Sequence, residues 1–375
     1  MNDPRLTHLA EILLDHSCQI RAGENVLVEA IDLPEPALVC RLVELAAARG
    51  AHPFVTWKNQ EVLRALYRTG MEASIGGAGD LERLRMERMQ AYIGIRGAAN
   101  SSEFADVPAE GMGLYRKLWW HAVHGEVRVP RTRWVVLRYP TPSMAQAADM
   151  STSAFEDFYF DVCTADYARM ARDQESLARR MAAADRVRIT GPGTDLSFSL
   201  QGMPARPCHG QRNIPDGEVY TAPVRDSVEG TIRFNAASRY EGTVFERIEL
   251  EFRAGRVERA DCSGATAALA AVLDADAGAR YLGEFAIGCN NRIRRPMLDT
   301  LFDEKIGGSL HLALGNAYDE CDNGNRSRVH WDLVLMQTPP YGGEIHFDGE
   351  LIRRDGLFVP ADLQPLNEGL GAAGG

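Results

Sequence analysis

The chain has 375 residues, 45% of them hydrophobic and 25% charged, an ordinary globular composition over more length than one core usually fills. Its net charge of −11 gives no sign of the basic face that nucleic-acid binding demands, and no apolar run reaches the roughly 18 residues that span a membrane. Seven dispersed cysteines without a Cys-x-x-Cys pair argue against a disulfide framework and a zinc knuckle. The start Met1-Asn2-Asp3-Pro4-Arg5 lacks a secretory signal's basic opening and apolar core, so a cytoplasmic protein is expected.

Asp3 before Pro4 marks a helix start, with aspartate as cap and proline in the first turn, and Leu6, Leu9 and Leu13 keep one face apolar. Residues 25–30 read as a strand, 36–50 as a helix ended by Gly50, 53–57 as a strand and 60–68 as a helix stopped by Gly70. Further buried strands are expected at 91–95 and 134–138. Strands spaced by helices imply a parallel sheet, hence an α/β domain over residues 1–184. Gly76-Gly77-Ala78-Gly79 does not open between a clear strand and a helix, so a loop is expected there. With no Gly-x-Gly-x-x-Gly after the first strand and no P-loop motif, a nucleotide site fails its own criterion. A charged helix over 166–184 leads into a second domain, 185–375. Its alternating segments 186–190 and 195–200, a hairpin around Ala254-Gly255 and a helix over 265–273 make it α+β and rich in antiparallel strand.

Polar residues that are hard to explain as core concentrate between Asn213 and Asp332. Glu218 follows a Pro-Gly turn, where a glutamate alone is usually just solvated. Glu284 sits among Leu282, Phe285 and Ile287, so it needs either a cation or one of Arg292, Arg294 and Arg295. His311 interrupts an apolar run, where a lone histidine is more often a hydrogen-bonded core residue than a ligand. His330 and Asp332 alternate along a strand and share a face suited to a metal corner. Together these are two histidines and three carboxylates. One tetrahedral zinc takes three protein ligands plus water, whereas two divalent cations sharing a bridging carboxylate use all five. Asp303-Glu304-Lys305 reads as a capped loop with a local ion pair, or as a place where Lys305 meets a substrate carboxylate. Arg225 and Asp226 are candidates for positioning. Lysine is confined to Lys58, Lys117 and Lys305, which reads as a composition effect.

In this order and context the residues resemble the M29 metallopeptidases, the aminopeptidase T family. The matching text is N-I-P-D-G-E-V-Y-T-A-P from Asn213, E-G-T-I-R-F from Glu229 and L-G-E-F-A-I-G-C-N-N from Leu282. It continues as L-F-D-E-K-I-G-G-S-L-H-L-A-L-G-N-A-Y from Leu301 and N-R-S-R-V-H-W-D from Asn325, with a looser likeness in R-A-G-E-N-V-L-V from Arg21. The resemblance implies that Glu218, Glu284, His311, His330 and Asp332 are metal ligands and that Tyr318 is an active-site tyrosine. It further implies two-domain homodimers that use zinc, cobalt, manganese or magnesium to remove N-terminal residues from short peptides or aminoacyl substrates. On chemical grounds Glu284 is the candidate bridge. Metal-activated water would attack the peptide carbonyl, and a second carboxylate would pass its proton to the leaving amine. Tyr318 would donate to the oxyanion or orient a ligand.

Three rivals stand beside this reading. A ring-cleaving dioxygenase acting on dihydroxypyridines looks related and uses one iron; His311, His330 and Asp332 would satisfy it, leaving Glu218 and Glu284 surplus. A narrow amidase or dipeptidase is suggested by the stretch between Tyr318 and His330, which is shorter than the family's pattern. A non-catalytic binding protein would be expected to lack a ligand, and none is missing.

Overall fold

The computed structural model describes residues 3–370. Two compact units form: one runs as far as Ala165 and takes in Gly210–Pro215, the other comprises Asp166–His209 and the chain from Asp216 onward. None of the described helices is long and apolar enough to cross a membrane.

In the first unit the Asp3 carboxylate accepts from the Arg5 amide at 2.8 Å and starts the helix Pro4–Glu11. Strands β1 (Asn25–Ile31), β2 (His52–Lys58), β3 (Ala91–Arg96) and β4 (Arg133–Arg138) form a parallel sheet in the order β2-β1-β3-β4, and Asn213–Ile214 pairs alongside β4. Helix Ala37–Ala48 connects β1 to β2, Gln60–Arg68 and Glu72–Met86 connect β2 to β3, and the helical stretch containing Tyr115–Arg128 connects β3 to β4. Val26, Leu27, Val28, Tyr92 and Ile93 are buried, as expected for strands covered on both faces. The expected glycine loop at 76–79 is instead the middle of the helix Glu72–Met86. Packing overrides propensity there. A Cβ on Gly79 would strike the Leu118 carbonyl oxygen and come within 3.0 Å of the Trp119 Cα, so the bare glycine lets the helix Tyr115–Arg128 lie close.

In the second unit the helix Tyr167–Ala183 is capped by Asp166. An antiparallel sheet includes Arg186–Gly191, Thr194–Ser199 and the hairpin of Thr243–Arg253 with Arg256–Ser263. Ala254 and Gly255 turn that hairpin with φ of 46° and 80°. A second antiparallel sheet contains β5 (Arg206–Cys208), β6 (Glu218–Thr221), β7 (Leu282–Gly288), β8 (Ser309–Gly315) and β9 (His330–Met336), in the order β9-β8-β7-β6-β5. Phe285, Ile287, Leu310, Leu312, Leu314, Trp331 and Leu333 alternate onto its core face. The other face carries the polar residues.

Candidate metal centre

Strand register brings the five predicted residues onto one face. Ala313 of β8 lies opposite both Glu284 of β7 and Asp332 of β9, so these three side chains project the same way. His311 is two residues before Ala313, His330 is two before Asp332, and both follow that face. Glu218 of β6 pairs with Gly288, four residues beyond Glu284, which adds it to the row. The neighbouring positions are Ala286, Gly288, Ala313 and Gly315. Their small or missing side chains leave the carboxylates and imidazoles room to converge over the sheet.

The convergence is tight. His311 Nε2 lies 3.4 Å from Glu284 Oε1 and 3.6 Å from Glu218 Oε2, while His330 Nε2 lies 3.5 Å from Glu284 Oε2 and 3.4 Å from Asp332 Oδ1. Potential ligand atoms fall within 4.8 Å of one another in the set Glu218, Glu284, His311 and again in Glu284, His330, Asp332. Glu284 belongs to both sets. Each histidine also donates from Nδ1 to a backbone carbonyl, His311 to Glu304 at 3.1 Å and His330 to Asn316 at 2.9 Å. That fixes the tautomer and turns Nε2 inward, the arrangement typical of metal-bound histidine. His330 Nε2 and Glu218 Oε2 are buried without a hydrogen-bond partner. Buried acceptor lone pairs left open in this way fit a cation. The arginine partner considered for Glu284 does not materialise among the described residues: its ion pairs are to His311 and His330.

Burial opposes charge throughout the cluster; it prevails at Glu218, which is raised despite Lys305 and His311, and the neighbours prevail at Glu284, Asp332 and His311. Burial would raise the Glu284 carboxyl, but the adjacent His311 and His330 imidazoles outweigh it and hold it below the usual range. Asp332 is likewise held down to about 2, chiefly by His330 against burial. Burial would lower His311, yet Glu284, Glu218 and Asp332 draw it up to about 9. Carboxylates that draw a proton onto Nε2 draw a metal ion there by the same attraction.

The Asp303-Glu304-Lys305 knot lies next to this cluster. The local pair of Lys305 with Glu304 is present at 2.5 Å, but the ammonium is only 1% exposed and also meets Glu218 at 2.6 Å and Asp216 at 3.8 Å. Glu304 is desolvated and crowded by Glu218 and Asp332, which pushes it up to about 8 despite Lys305. Its carboxylate groups with His311 and Asp332. The buried contact with Glu218 was invisible in sequence because 87 residues separate the partners. Arg225 lies over the Tyr281 ring at 3.6 Å and bonds Asn325, and Asp226 is largely exposed beside it.

Tyr318 leans on His330 with ring centroids 4.7 Å apart and is 47% exposed. Loss of water around the hydroxyl, with the charges of Glu284 and Asp332, keeps it protonated well above the usual phenol range. A family model described as thermophilic metalloprotease (M29) matches residues 2–357. The chain belongs to that family. Among other M29 proteins it is 27% identical over 406 residues to aminopeptidase T of Thermus thermophilus, covering 95% of this chain and 96% of the relative. It is 25% identical over 411 residues to aminopeptidase 2 of Geobacillus stearothermophilus, covering 96% of each. The solved structure of wild-type AmpT from Thermus thermophilus superposes with a TM-score of 0.81 at 24% identity, over 95% of this chain and 99% of that one. The 2,5-dihydroxypyridine dioxygenase of Pseudomonas putida KT2440 shares the fold at TM-score 0.60 and 14% identity, over 96% of this chain and 98% of that one.

Proposed function

We propose that this M29 protein is an aminopeptidase that removes N-terminal residues from short peptides or aminoacyl substrates. In this reading Glu218, Glu284, His311, His330 and Asp332 hold two divalent cations (zinc, cobalt, manganese or magnesium). The observation that carries the proposal is the pair of three-residue ligand sets sharing Glu284, with both imidazole Nε2 atoms turned into them. Charge supports the count. Asp216, Glu218, Glu284 and Asp332 face one ammonium, so with neutral imidazoles and a protonated Glu304 the cluster carries three negative charges, more than a single divalent cation offsets. A single-iron site of His311, His330 and Asp332 would leave Glu218 and Glu284 without a role, with Glu284 facing only the two imidazoles.

Such ions supply an activated water at neutral pH and polarise a carbonyl. The chain's own residues carry the remaining work. Glu284 spans the two ligand sets and fixes their spacing. Lys305 holds Glu218 in place through its 2.6 Å contact. Glu304, beside His311 and Asp332, is the carboxylate placed to carry a proton towards the leaving amine. Tyr318, protonated and half exposed, donates its hydroxyl to the oxyanion that develops on the substrate. A homodimer completes the proposal: β2 is the edge strand of its sheet and leaves Phe54 43%, Val55 47% and Trp57 47% exposed, a surface suited to self-association.

The test is a metal-reconstituted assay over aminoacyl and dipeptide substrates with N-blocked controls. Free amines should be required; blocked substrates cleaved as fast as free ones would overturn the aminopeptidase reading. Glu284→Gln should abolish turnover while the protein stays folded by circular dichroism, and retained turnover would misplace the site.

A further inference from the structure

The first unit holds a second cluster of buried charge, separate from the metal centre. Lys58 ends β2 and Arg96 ends β3, and both lie in register with Ile31 at the end of β1. All three therefore sit at the carboxyl edge of the parallel sheet. In the order β2-β1-β3-β4 the connection after β1 runs to β2 and that after β3 runs to β4, in opposite directions, and crevices at such a switch point are where open parallel sheets receive ligands. A cavity of about 40 Å³ opens there, lined by Glu29, Lys58, Glu82, Arg96 and Arg128 among others.

The charges around it do not cancel. Lys58 is matched by Glu29 at 2.6 Å and Glu82 at 3.2 Å. Neither Arg96 nor Arg128 has a carboxylate within 4.0 Å among the described residues, leaving three cations against two anions. Arg128 is 6% exposed and its Nε has no hydrogen-bond partner. Its guanidinium is stacked 3.6 Å over the Tyr92 ring, and Nη1 reaches only His124 Nδ1 at 3.3 Å. Burial and the two arginines push His124 down to about 4, so it stays neutral and accepts from Arg128 without adding a charge. A buried guanidinium with open donors and excess positive surroundings calls for an oxygen anion, which accepts from its planar fork. The cavity has room for only a few heavy atoms.

We propose that this crevice is a binding site for a small oxyanion, held by Arg96 and Arg128 with Lys58 at its side. The site is independent of the metal centre and of the peptidase reading.

Calorimetric titration of the full-length protein tests it, using sodium sulfate, inorganic phosphate and sodium acetate at an ionic strength held constant with sodium chloride. Sulfate and phosphate should each bind saturably with one site per chain, and acetate more weakly. Arg128→Met should weaken sulfate about tenfold or more, the loss of a charge-assisted hydrogen bond. Glu82→Gln, which removes a negative charge from the rim, should tighten it several-fold, while Glu218→Gln in the metal centre should leave it unchanged. If Arg128→Met does not fold, the Glu82→Gln arm decides. Absence of saturable binding, or sulfate affinity indifferent to the first-unit substitutions, overturns the proposal.

Discussion

Lys305→Met isolates the electrostatics of the candidate centre. The side chains are similar in length, so little cavity forms, and the effect comes from the lost ammonium. That ammonium is 1% exposed with Glu218 at 2.6 Å and Glu304 at 2.5 Å. Each contact is worth about 6 kcal/mol at an effective dielectric near 20, and dehydration of the lysine offsets several of those. Removing one partner of a buried network then costs about 3–5 kcal/mol, because the carboxylates are left uncompensated. For a unit of this size that is a fall in melting temperature of about 6–20 °C. The assay is thermal unfolding followed by circular dichroism, after chelation and again with added zinc or cobalt. Added metal should recover part of the loss, since divalent charge takes over the compensation of Glu218. A variant that melts within about 1 °C of wild type after chelation would refute the network as described.

Three further outcomes follow from the same geometry. Tyr318→Phe should lower kcat about a hundredfold with little change in KM, the effect of removing one oxyanion donor; unchanged turnover would remove that role. Ala313→Val places two methyl groups between Glu284 and Asp332 and should cost about 1–3 kcal/mol while weakening metal binding, so full activity at low metal would count against the shared face. In chelated protein, His311 at about 9 and Glu304 at about 8 both lie above their ordinary values of 6.5 and 4.5. Their contribution to stability is present at low pH and lost as pH rises through the folded values. The melting temperature should therefore fall between pH 6.5 and pH 9; a rise over that window would contradict the assignment.

The sequence made the five candidate ligands legible because each polar side chain interrupts or opens an apolar strand, and burial there demands a partner. His330 and Asp332 could be placed on one face from alternation alone. What alternation could not supply was register: only the pairing of Ala313 with both Glu284 and Asp332 puts the remaining candidates on that face. Lys305 was read as part of a local ion pair because its contact with Glu218 depends on tertiary pairing. A signal was present, since two of the three lysines, Lys58 and Lys305, end up in buried ion clusters. Glu29, set in Asn-Val-Leu-Val-Glu-Ala, met the same test as Glu284: a carboxylate in a buried strand needs a partner. The glycine run at 76–79 misled because close helix packing favoured bare backbone over helix propensity. The return of Asn213–Ile214 to the first sheet had no local signature at all.

Metal content per chain bears most directly on the central claim. Equilibrium dialysis of the full-length protein against zinc, cobalt or manganese, followed by elemental analysis, should give about two ions per chain, falling in Glu284→Gln, the residue shared by both ligand sets. A single iron per chain, undiminished in Glu284→Gln, would contradict it.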